Sequence, residues 1–122
     1  MRPDDELAVR VRAALAGTRA FHEVRMFGGI GFMLNGNFVA AASRRGLLVR
    51  VGKDQQDDVL ARPGARPMEM RGRVVEGYVY LDPSALTDGD IEVWLRRALT
   101  FVETLPAKAS GEKKPGTKGR TQ

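Results

Sequence analysis

Residues 30–51 read Ile30-Gly31-Phe32-Met33-Leu34-Asn35-Gly36-Asn37-Phe38-Val39-Ala40-Ala41-Ala42-Ser43-Arg44-Arg45-Gly46-Leu47-Leu48-Val49-Arg50-Val51. Asn35-Gly36 stands between two apolar runs. Both residues tolerate positive φ, so the pair predicts a tight hairpin joining Ile30–Leu34 to Phe38–Ala42. Arg44-Arg45-Gly46 is a second turn signal, and Leu47–Val51 follows as a third strand. The stretch therefore predicts an antiparallel meander. Its first strand extends back towards Val24, with a kink or bulge at Gly28-Gly29.

Outward from this core the pattern becomes helical. Leu7, Val11, Ala14 and Leu15 recur at helical spacing over residues 4–16. Asp4 and Asp5 suit the N-terminus of that helix, and Gly17 suits its end. After Val51, residues 55–61 predict a short helix that Pro63-Gly64 breaks. Residues 67–81 return to strand character and divide at Gly72-Arg73. In the second of these strands, alternation puts Val75, Gly77, Val79 and Leu81 on one face and Val74, Glu76, Tyr78 and Tyr80 on the other. Thr87 and Asp90 resemble a capping arrangement. Ile91, Leu95, Ala98, Val102 and Leu105 then form a helical stripe, widened by Trp94, Leu99 and Phe101. The predicted order is α-β-β-β-α-β-β-α, an α+β domain with helices packed on a five-stranded antiparallel sheet.

Length and composition narrow the function classes. The chain has 122 residues, enough for one domain and too few for a barrel or a full dinucleotide-binding fold. It has no Cys and a single His, which excludes disulfides, thiol chemistry and a multi-histidine metal site within one chain. No run approaches a membrane helix, and no apolar leader follows the first Met, so the expected address is the cytoplasm. The net charge of +5 is uneven. Residues 1–105 hold 15 basic and 14 acidic side chains, a net of +1. Residues 106–122 hold Lys108, Lys113, Lys114, Lys118 and Arg120 against Glu112, a net of +4. With its prolines and glycines this second segment reads as a disordered basic tail beside a folded domain at 1–105.

No constellation announces catalysis. Phe27-Gly28-Gly29-Ile30-Gly31 is glycine-rich, but Phe32 and Met33 stand where a phosphate loop needs lysine and a hydroxyl, and no helix follows. A bulge or close backbone packing is the plainer use. His22 has no nucleophile beside it in sequence. Asp54, Asp57 and Asp58 cluster without calcium-loop spacing and read as a solvated helix face. Arg44, Arg45 and Arg50, with Arg71 and Arg73, lie near strand ends. They contact phosphate if they share a face, and are ordinary surface charge otherwise. Met26, Met33, Met68 and Met70 read first as core and second as an adaptable binding surface. The expectation is therefore no catalytic residue, no cofactor and no metal.

Three blocks resemble a known family. Val24-Arg25-Met26-Phe27-Gly28-Gly29, followed by an apolar strand and an Asn-Gly turn, resembles the opening motif of the TfoX/Sxy N-terminal domain family. Met68 to Asp82, in which a Gly-Arg turn leads to Gly77, Tyr78 and a strand ending at Asp82-Pro83, resembles its second block. Trp94-Leu95-Arg96-Arg97-Ala98-Leu99 resembles its last helix. The resemblance covers about residues 5–105. It implies a secretion-chaperone-like α+β fold, no enzymatic activity, and a mark of the family at Arg25, Met26, Phe27, Gly28 and Gly29. Longer family members regulate natural competence in bacteria and carry a second domain, for which this chain has only the basic segment. The expected function is a cytoplasmic regulatory or adaptor module acting through protein–protein contacts, with transcription regulation as the process and a homodimer as an open assembly state. The alternatives are nucleic-acid binding, with Arg44, Arg45, Lys113, Lys114, Lys118 and Arg120 as polyanion contacts, and small-molecule binding between sheet and helices.

Overall fold

Asn35 and Gly36 both take positive φ, 54° and 80°, and Leu34 faces Asn37 across them. The hairpin predicted from that dipeptide joins β2 (Gly29–Leu34) to β3 (Asn37–Ser43). Arg44-Arg45 then links β3 to β4 (Gly46–Arg50) with Ser43 opposite Gly46. The computed structural model describes residues 3–16, 21–26 and 28–106. Lys113, Lys114, Lys118 and Arg120, with Phe27 and Gly17, lie outside the described residues.

The sheet has six strands where five were expected. Residues 22–34 do not form one strand with a bulge at Gly28-Gly29. β1 (His22–Met26) is separate and runs antiparallel along β2, from His22 opposite Met33 to Met26 opposite Gly29. The chain reverses there, with Gly28 at φ 71°. β1 is an edge strand whose first four residues are exposed, so it lacks the apolar alternation that marks a half-buried strand. The complete sheet is antiparallel in the order β1-β2-β3-β4-β6-β5, where β5 is Ala65–Met70 and β6 is Arg73–Leu81.

Two long helices, with Val59 of the short helix Gln56–Leu60, cover one face. α1 (Pro3–Leu15) buries Leu7, Ala8, Val11 and Leu15, and α3 (Asp88–Val102) buries Ile91, Trp94, Leu95, Ala98 and Val102. These pack on Phe32, Leu34, Val39, Leu47, Val49, Val79 and Leu81. Removing each such side chain from water stabilises the fold by about 1.5–3 kcal/mol. Thr87 starts α3 with the expected capping box. Its hydroxyl accepts from the Asp90 amide at 3.0 Å, and the Asp90 carboxylate accepts from the Thr87 amide at 2.9 Å. Arg10 ties α1 to the start of α3, donating to Asp88 and to the Leu86 carbonyl, both at 2.8 Å. Among the described residues, no helix is long and apolar enough to cross a membrane.

β6 does not alternate as predicted. Its pairing with β5 passes from Pro67–Val79 to Glu69–Val74, two steps on β5 against five on β6. The surplus is taken up around Gly77, at φ 88°. Segment 51–56 holds this excursion in place. The Gly77 amide donates to Gln56 Oε1 at 2.7 Å, and the Gly77 carbonyl accepts from Val51 and Gly52 at 2.9 and 3.2 Å. Beyond Gly77 the facing inverts. Val79 and Leu81 stay on the helix side, but Val75 joins Tyr78 and Tyr80 on the other. Backbone bulging therefore defeats the strict period of two.

The bulge also gives the helix-free face its cover. Phe38, Ala41, Leu48, Met68 and Tyr80 form a second buried cluster, with Met26, Met33, Val75 and Tyr78 packed against it. Leu48 is fully buried although, among the described residues, no helix joins the cluster on that side. Met68 and Val75 come from the outer half of the β5–β6 hairpin, so side chains of this bent arm reach the Phe38, Ala41 and Leu48 cluster.

Candidate functional site

The bent arm creates the site. It brings Met68, Glu69 and Met70 across from Arg44 and Arg45 of the β3–β4 turn, around a groove of about 560 Å³ whose lining Gly28 and Tyr80 complete. Each part has a local cause. Arg44 and Arg45 are exposed because the two-residue turn projects them from the sheet. The Ser43 hydroxyl accepts from the Arg45 amide at 3.1 Å and fixes the turn. Arg66 lies over the Tyr80 ring, 5.6 Å from its centroid, and donates to the Arg45 carbonyl. That pairing anchors the arm to the turn. At the tip of the arm, Arg71 and Gly72 take φ 54° and 79°, a tight reversal that leaves Arg71 and Arg73 exposed.

Among the described residues, Arg25, Arg44, Arg45, Arg71 and Arg73 make no ion pair. The groove holds one acid, Glu69. Apolar side chains are exposed beside these cations: Met70 at 49% and Val74 at 48%. A surface that joins unpaired guanidinium groups to methionine and aromatic carbon suits a ligand that is both anionic and apolar.

The other predicted residues do other work. Arg50 is not part of the basic group. Its guanidinium lies 5.5 Å from the Tyr78 ring and 5.6 Å from the Phe101 ring and donates to the Phe38 carbonyl, which binds the sheet to α3. The aspartates of α2 (Gln56–Leu60) and of the 3-10 turn before it do not converge. Asp58 instead meets Arg97 at 2.7 Å and Arg62 at 3.6 Å. The Arg97 hydrogen bond, aided by Arg62, holds the Asp58 carboxyl below its ordinary range. Both arginines also lie over Trp94, locking α2 to α3. His22 is exposed on the edge strand. Glu23 accepts two bonds from Arg12, at 2.7 and 2.8 Å, which fasten β1 to α1 and lower its pKa. Among the described residues no three acidic or imidazole side chains are grouped to hold a metal ion.

The motif at 25–29 is a hairpin device. Arg25 and Met26 close β1, Gly28 turns, and Gly29 opens β2. A Cβ on Gly29 would lie 2.0 Å from the Ala42 carbonyl oxygen, so only glycine lets β2 and β3 approach so closely.

A model of the TfoX N-terminal domain family matches residues 13–102. The chain belongs to the TfoX N-terminal domain family. No curated protein and no solved structure matches it significantly. The TfoX match begins inside α1 and ends at the last residue of α3, so it includes the whole sheet, the bent arm and the groove. The groove itself was missed in the sequence. Its only linear trace is the alternation of Met68 and Met70 with Glu69 and Arg71, and the bend at Gly77 decides where those methionines go.

Proposed function

We propose that this TfoX-family domain is a non-enzymatic regulatory or adaptor module that acts in the cytoplasm through protein–protein contacts, in transcription regulation. The observation that supports this reading best is the groove between arm and turn, where unpaired arginines flank exposed methionine. Such a mixture favours a protein segment over a bare phosphate chain, which gains nothing from the apolar wall. In-cell crosslinking followed by mass spectrometry tests it. One reproducible protein partner is expected, and the absence of any partner refutes it.

Nucleic-acid binding is the second reading, favoured by Arg44, Arg45, Arg71 and Arg73 making no ion pair among the described residues, together with the basic segment after Pro106. It predicts affinity that falls linearly with salt on logarithmic axes and weakens when residues 107–122 are removed. The deletion starts at 107 because the Asn37 side-chain amide donates to the Pro106 carbonyl at 2.9 Å. A homodimer would add a second copy at β1, because Pro67 removes a donor from the opposite edge, β5. Light scattering reads this directly.

A further inference from the structure

We infer that the groove between Arg44-Arg45 and Met68–Met70 is a docking site for an acidic, apolar-anchored peptide segment of a partner protein. This rests on the adaptor reading and names the chemistry of its contact.

Charge complementarity selects the occupant. Arg44 and Arg45 have no acid of their own among the described residues, and Arg66, Arg71 and Arg73 continue the positive field along the arm. Glu69 alone opposes them in the groove. Two guanidinium groups on adjacent residues of a tight turn present planar donor forks to carboxylates. Between them and the arm, Met68, Met70 and Tyr80 supply soft carbon for one or two apolar side chains of the same segment. Residues 107–122 of this chain are excluded as the occupant because they carry five basic side chains and one acid. A second copy docking through the same groove would set arginine against arginine.

The edge chemistry fixes the mode. Pro67 stands in the middle of β5, the strand forming the groove's outer wall, and removes a backbone donor there. Extension of the sheet by a long added strand is therefore blocked, and recognition falls to side chains in the groove. A larger hollow beside α1, about 690 Å³, is less suited: it shares Arg44 but also holds Glu6 and Asp82, and its Arg10 is already committed to Asp88.

The test is fluorescence anisotropy of the full chain with a short fluorescein-labelled peptide of alternating glutamate and leucine. Saturable binding is expected. Replacing the glutamates by glutamine, or the leucines by serine, should weaken binding about tenfold or more, because each removes one half of the recognition. Arg44→Glu with Arg45→Glu should abolish it, Met70→Ser should weaken it, and Arg96→Glu on the exposed face of α3 should leave it unchanged. Circular dichroism confirms that each variant is folded. Undiminished binding by the Arg44→Glu/Arg45→Glu chain overturns the proposal. Equal binding by the serine peptide overturns it too, since that is charge alone. Stronger binding of a single-stranded oligonucleotide at the same arginines also overturns it, in favour of nucleic acid. If the peptide fails while crosslinking still recovers a protein partner, the groove assignment falls and the adaptor reading stands. If no partner is recovered but the peptide binds as described, the converse holds.

Discussion

Replacing Gly77 by alanine tests how the groove is built. Gly77 is buried at φ 88°, a region an alanine enters at a cost of about 1–2 kcal/mol. Its new Cβ would lie 3.2 Å from both the Gly52 carbonyl carbon and the Lys53 nitrogen. Those are backbone atoms held by the bonds that Val51 and Gly52 make to Gly77 itself, so they yield poorly. Overpacking of this kind adds about 1 kcal/mol or more. Stiffening the unfolded chain returns about 0.4–1 kcal/mol. The net loss is about 2 kcal/mol, or a fall in Tm on the order of 10 °C for a domain of this size. Gly72→Ala is the control. It has a similar φ of 79°, but nothing lies within 4 Å of its Cβ, so only the backbone contribution remains. Urea unfolding of the two variants should therefore differ by about 1 kcal/mol, with Gly77→Ala the less stable. Equal losses, or a larger loss at Gly72, would show that the arm is not pinned at Gly77 as described.

Four further outcomes follow from the same contacts. Leu48→Ala should destabilise by about 2–4 kcal/mol in chemical denaturation, as should Leu95→Ala on the helix side, because both are fully enclosed; a loss under about 1 kcal/mol would mean the opposite face is open to solvent. Thr87→Ala should cost about 1 kcal/mol through loss of the capping box, while Thr87→Ser should retain most of it. Glu23 has a lowered pKa in the folded state, so the unfolded chain binds its proton more readily. The stability from this group is present above the unfolded value and is lost as pH falls through the folded one. Arg12→Ala should flatten that acid-side slope in stability measured against pH; because both side chains are well exposed, the effect stays under about 1 kcal/mol.

Much of this fold was legible in the sequence, and each exception has its own physical cause. Asn35-Gly36, the Thr87–Asp90 box and the stripe from Ile91 to Val102 encode local geometry, and local geometry survives folding unchanged. β1 was hidden because an exposed edge strand, His22 to Met26, has no need of apolar alternation, and its reversal at Gly28 looks like a bulge in one dimension. Val75 was assigned to the wrong face for the opposite reason. A real bulge sits at Gly77, and only the partners Gln56, Val51 and Gly52, more than twenty residues away in sequence, put it there. The groove inherits that dependence. Arg44 and Arg45 were candidates from their turn, Met68 and Met70 from their strand, but nothing linear connects them. Arg50 was grouped with them by charge and belongs instead to the packing between Tyr78 and Phe101.

The most direct measurement is site-specific photocrosslinking in the cells that make this chain, with the reactive side chain at Met70 on the groove and, as reference, at Val93 on the exposed side of α3. Mass spectrometry then maps the peptide joined to each position. Position 70 should join a single segment of a partner protein, rich in aspartate or glutamate around one or two apolar residues, and position 93 should not. Adducts to nucleic acid at position 70, or the same partner segments at both positions, would contradict a groove built for an acidic protein segment.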